Sequence, residues 1–123
     1  MPNLELPFSI SEYATRLDLV RKSMDDNNIE VLFTCDPSNM AWLSGYDGWS
    51  FYVHQGVLIG PEGDPIFWGR KMDAVGATLT CYMNNDRIHG YSDDFVMSDK
   101  HAMLDLSNVI SDYGWSNLRL GVE

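Results

Sequence analysis

"FYVHQGVLIGPEGDPIFWGR", residues 51–70, holds two apolar, aromatic runs on either side of Pro61-Glu62-Gly63-Asp64. Two such runs around a short glycine-containing break predict a β-hairpin. Upstream, "IEVLFT" at residues 29–34 is short, apolar and β-branched after a polar break. A run of that kind predicts a strand buried on both sides, which places the hairpin in a sheet flanked by helices.

The flanking segments supply those helices. In "SISEYATRLDLVRKSMDDNN", Ile10, Tyr13, Ala14, Leu17, Val20 and Met24 recur at three- and four-residue spacing, the period of one helix face. Ser9 with Glu12 suggests a capping box, and Pro7 keeps the preceding chain extended. Asp36-Pro37-Ser38-Asn39 is a turn signal that starts a short helical segment carrying Met40, Trp42 and Leu43 inward. Residues 71–80, with Met72, Val75, Ala77 and Leu79, predict a further helix that Gly76 and Thr78 weaken. "RIHGY" reads as a strand. "SDKHAMLDLSNVISDYG" reads as a helix capped at Ser98, with Ala102, Leu106, Val109 and Ile110 on one face and Tyr113-Gly114 closing it. "NLRLGVE" reads as a last strand, and its abrupt charged end at Glu123 suggests a chain that continues.

A chain of 123 residues, 45% hydrophobic and 21% charged, suits one folded domain. Eighteen acidic against eight basic residues give a formal charge of -10, which repels phosphate backbones and anionic lipid heads. Nucleic acid and membrane are therefore not expected partners, and no stretch approaches the apolar length of a membrane span. The first residues lack the pattern of a secretory signal, so a cytoplasmic location is expected. Cys35 and Cys81 form no CxxC pair, and both are expected to be buried thiols.

The usual catalytic parts are not legible. His54, His89 and His101 share no HxxH or HExxH spacing, and no GxSxG elbow or glycine-rich phosphate loop follows a strand. Asp86, Asp93 and Asp94 lack the alternating acids and distal glutamate of an EF-hand loop. No catalytic residue, metal ligand or cofactor site is expected in this chain.

Against that background the ordered series "DPSNMAWLSGYDGWSFYVHQG…GDPIFWGRKMDAVGA" is the informative feature. It resembles the N-terminal domain of the creatinase, prolidase and aminopeptidase P family, in which an Asp-Pro-x-Asn turn leads to an aromatic-Leu-[Ser/Thr]-Gly motif. Within that family, "GYDGWSFYVHQ" followed by "GRKMDAVGA" is most similar to the ectoine-hydrolase branch, whose members open the cyclic amidine of a compatible solute. The resemblance implies an α/β fold with a mixed central sheet and helices on both faces, ribonuclease H-like. It implies that residues 1–123 are a non-catalytic, substrate-gating and dimerising domain. The catalytic pita-bread domain, which leaves room for a divalent metal, would lie outside this chain. The implied partners are that domain, a second subunit of a homodimer and a small-molecule substrate. Xaa-Pro peptidase or creatinase-type amidinohydrolase activity remains an alternative within the family. Outside it, the alternative is a self-sufficient small-ligand-binding module.

The resemblance also directs attention to the aromatic loop around residues 46–55, from which related enzymes reach the substrate. Trp49, Phe51 and His54 are its substrate-binding candidates, since an aromatic wall holds a planar ring or amidinium by stacking and cation–π contact. His54 is also readable as a hydrogen-bonded surface histidine. Strand alternation sends half of this run inward, and Trp42 and Phe67 are expected in the core. Arg70 is the fourth candidate, because its planar fork suits a carboxylate. A salt bridge to Asp73 is the competing reading.

Overall fold

The computed structural model describes residues 5–48 and 52–123. The chain runs α1 (Ile10–Asp26), β1 (Val31–Thr34), α2 (Pro37–Ser44), β2 (Gly56–Ile59), β3 (Ile66–Arg70), α3 (Lys71–Thr80), β4 (Ile88–Tyr91), α4 (Asp94–Met97), α5 (Met103–Asp112) and β5 (Leu120–Val122). The sheet order is β4-β3-β2-β1-β5. The β1/β2 and β2/β3 pairs are antiparallel, whereas β1/β5 and β3/β4 are parallel. The hairpin and its flanking helices are as the residues predict, and the mixed α/β sheet is the one the family resemblance implies.

Side-chain alternation divides the core in two. Val57, Ile59 and Phe67 pack with Leu17 and Met24 of α1, Met40 and Leu43 of α2, and Ala74 and Ala77 of α3. On the other face, Val31, Phe33, Leu58, Ile66 and Trp68 pack with Leu106 and Val109 of α5. Burial on both faces is why the strands read as continuous apolar runs.

Local chemistry fixes the elements. The Ser9 hydroxyl accepts the Glu12 N–H at 3.2 Å and caps α1, while the Glu12 carboxylate accepts from Arg16 Nε at 3.2 Å. Arg21 of α1 donates to the carbonyls of Gly60 and Gly63, pinning the hairpin loop beneath the helix. The α3 helix spans the predicted residues, but of the four apolar positions named for it only Ala77 is buried. Ala74 and Ala77 are buried, whereas Met72, Val75 and Leu79 are exposed. The small residues allow a close approach: a side chain at Gly90 of β4 would meet the Lys71 Cα at 2.8 Å.

Three sequence expectations are corrected. Trp42 is 40% exposed, because Met40 and Leu43 face the sheet and a residue two positions from Met40 lies about 200° around the helix. Cys35 is exposed and only Cys81 is buried, since Cys35 has already left the end of β1. The predicted helix from Ser98 divides instead. Ser98 is the extended C-cap of α4, its hydroxyl accepts the Lys100 N–H at 3.1 Å, and α5 begins only at Met103. A serine that bonds its own neighbouring backbone competes with helix formation.

Candidate functional site at the carboxyl edge of the sheet

Because β2 runs against the other strands, its amino end lies beside the carboxyl ends of β1, β3, β4 and β5. In open α/β sheets that edge is where ligands bind. It gathers the segment ahead of β2, Arg70 at the end of β3 and Tyr91 at the end of β4. Arg70 and Tyr91 are paired in the β3/β4 register, and extending the Gly56–Trp68 pairing backwards brings His54 level with Arg70.

Tyr91 is 1% exposed, and its hydroxyl donates to the His54 carbonyl at 2.6 Å. This bond fixes the backbone that carries the His54 ring. That ring lies 4.5 Å from the His101 ring, centroid to centroid, with the planes tilted by 44°. A cavity of about 310 Å³ opens here, walled by Tyr52, His54, Tyr91 and Phe95 on one side and by the Ser98–Ala102 connection on the other.

Arg70 occupies the neighbouring position. Its Nε donates to Asp73 Oδ2 at 3.2 Å, and the two side chains are 16% and 10% exposed. Its guanidinium carbon lies 5.9 Å from the centre of the Tyr52 ring. A hydrogen bond with the Tyr52 side chain, followed by the attraction of Asp73, holds the Arg70 pKa above its ordinary value. The structure thus realises the Arg70–Asp73 salt bridge, and Arg70 reaches the cavity wall through Tyr52. Behind it, the Tyr46 hydroxyl donates to Gln55 Oε1 at 3.3 Å. Burial, then Asp73, pushes the Tyr46 pKa up to about 12, so this phenol remains a neutral donor.

Of the four sequence candidates, His54 lines the cavity and Arg70 stands against one of its walls. Trp49 and Phe51 lie outside the described residues. The sequence reading did not select His101, Lys100, Asp99 or Tyr91. No local pattern marks them, because only the packing of α5 across the sheet brings the α4–α5 connection over His54. Among the described residues no three His, Cys, Asp or Glu side chains come together as a metal site, and no helix is long and apolar enough to cross a membrane. The edge offers aromatic faces, hydrogen-bond donors and charges of both signs, Arg70 and Lys100 with Asp73 and Asp99, which suits ligand binding.

Comparison with known proteins places this geometry in a family. The creatinase/prolidase N-terminal domain model matches residues 16–123. An ectoine hydrolase from Halomonas elongata is 51% identical over 125 aligned residues, covering 100% of this chain and 31% of that protein. An uncharacterized hydrolase/peptidase from Sinorhizobium fredii is 39% identical over 99 residues, covering 79% of this chain and 25% of that protein. The chain therefore spans less than a third of the length of these curated relatives. Among solved structures, the N-terminal domain of a Xaa-Pro dipeptidase from Lactobacillus brevis aligns with a TM-score of 0.70 at 12% identity, covering 88% of this chain and 75% of that one. A proline dipeptidase from Streptococcus pneumoniae aligns with a TM-score of 0.69 at 14% identity, covering 88% and 73%. At such identities the structures establish a common fold. The chain belongs to the creatinase/prolidase N-terminal domain family.

Proposed function

We propose that this domain lends substrate contacts and a subunit interface to a cytoplasmic hydrolase of C–N bonds. Its substrate would be ectoine or a related cyclic amidine. The observation that carries this reading is the 51% identity to an ectoine hydrolase over the whole chain. The likeness to dipeptidases rests on 12–14% identity and supports the fold without a peptide substrate. The cavity beside His54 supports a substrate-handling role, because it lies at the edge where α/β sheets take ligands. The exposed Met72, Val75 and Leu79 of α3 support a covered face in a larger assembly. A divalent metal, where the reaction uses one, would be held by the rest of the longer protein.

The test uses the longer protein that carries this domain. Its kcat/KM for ectoine is expected to exceed those for creatine and Xaa-Pro dipeptides, and a preference for a Xaa-Pro dipeptide would overturn the substrate. The 123 residues alone are expected to turn over none of them. Mixed dimers test the shared site, with one subunit altered at Arg70 and the other disabled in its catalytic domain. Recovered activity supports a site completed across subunits. Mixed dimers that form but stay inactive argue that each subunit completes its own.

A further inference from the structure

The α4–α5 connection brings to the cavity a set of groups that the family motifs do not mark. Asp99 and Lys100 place opposite charges at adjacent positions on its wall, next to His101. The Met103 N–H donates to His101 Nδ1 at 3.1 Å. A nitrogen that accepts a backbone N–H carries no proton, so in the neutral ring the proton sits on Nε2. His101 is thereby fixed as an Nε2–H donor, in a ring packed against that of His54. The opposite wall is aromatic, with Tyr91 held in place by its bond to the His54 carbonyl.

Size and charge narrow the ligand. About 310 Å³ is at the lower end of the roughly 300–1,000 Å³ range of small-molecule sites, which suits a single ring or an amino-acid-sized molecule. A simple anion must approach a chain of formal charge -10. A simple cation leaves Lys100 and the His101 N–H without an acceptor. A molecule carrying both charges meets both demands.

We propose that this cavity binds a small zwitterion. Its carboxylate is taken by the His101 Nε2–H and the Lys100 ammonium, its cationic nitrogen by Asp99, and its apolar body by the Tyr52 and Phe95 rings. The proposal rests on the reading of the domain as a substrate-handling part of a hydrolase. It concerns equilibrium binding by these 123 residues, whereas that reading concerns turnover by the longer protein, and the two therefore fail separately.

The experiment is a titration of the ¹⁵N-labelled chain with ectoine and with L-proline, and with sodium acetate and acetamidinium chloride as the two half-ligands. The expected result is saturable shifts for the amides of Tyr52, His54, Tyr91 and residues 98–103 with a zwitterion, and binding at least about tenfold weaker for either half-ligand. Saturation by L-proline alone supports the cavity while removing ectoine as its ligand. His101→Asn keeps an oxygen that can accept the Met103 N–H in an Asx turn but removes the ring donor. It is expected to weaken binding about tenfold with the melting temperature held, and Lys22→Ala on α1 to leave binding unchanged. The proposal is overturned if neither zwitterion gives saturable shifts at these amides, if a half-ligand binds as tightly as the zwitterions, or if His101→Asn binds as the parent does.

Discussion

The indole N–H of Trp68, a fully buried residue of β3, donates to Asp105 Oδ2 of α5 at 2.8 Å. This bond ties the sheet to the helix whose first turn follows His101, so it helps to hold the cavity wall over His54. Asp105→Ala leaves a buried donor unpaired, at a cost of about 1–3 kcal/mol. Denaturant unfolding followed by tryptophan fluorescence is expected to show a lowered midpoint with little change in slope. An unchanged midpoint would show that water satisfies the indole equally well.

Two glycines should respond to alanine with opposite signs. Gly45 closes the Trp-Leu-Ser-Gly motif at φ 83°, and an added Cβ would lie 2.9 Å from the Thr80 carbonyl oxygen and 3.1 Å from the Tyr13 hydroxyl. Gly45→Ala is expected to cost about 2 kcal/mol or more through the left-handed backbone and the clash. Gly76 lies inside α3 with nothing within 4 Å of an added Cβ. Gly76→Ala is expected to stabilise by about 0.5–1 kcal/mol. Thermal melts of the two variants test both signs together.

His89 gives the fold a pH dependence. Its Nε2 lies 3.1 Å from the Tyr113 hydroxyl. Burial lowers its pKa below the ordinary 6.5, with Asp105 and Asp112 opposing the shift and Arg87 adding to it. The unfolded chain therefore takes up this proton first as pH falls. The contribution is absent above about pH 6.5 and becomes increasingly destabilising as pH drops from there toward the folded-state pKa. The melting temperature is expected to fall across that window, and less so in His89→Gln. An equal fall in the variant would assign the effect to other groups.

Arg70→Lys in the longer protein should lower kcat/KM for its substrate by about 1–3 kcal/mol, because an ammonium cannot reproduce the planar fork held between Tyr52 and Asp73. Since Arg70 and Asp73 are largely buried, some loss of stability should accompany it. Asp73→Asn separates the contributions: equal loss of activity in the two variants would mean that the pair only props the edge. A larger loss in Arg70→Lys supports a substrate contact.

What the sequence determined by itself is local. The spacing of Tyr13, Leu17 and Met24 announces α1, Ser9 its start, and the Gly63 turn the hairpin, because each depends on neighbours a few positions apart. The family motif announced the fold class as well and directed attention to the loop that carries His54, while Arg70 was legible from its guanidinium fork at the end of a predicted strand. The face each helix turns inward was less legible. The α3 helix buries Ala74 and Ala77 and leaves the larger Met72, Val75 and Leu79 outside, since close approach to β4 favours small side chains over apolar ones. Ser98 failed as a helix start because its hydroxyl turns to the Lys100 N–H. Only the tertiary structure set β5 beside β1 and β4 beside β3, and with them the edge where Tyr91 holds His54 and His101 meets it. Contacts between residues so distant in the chain arise from how layers pack, and no local pattern encodes them.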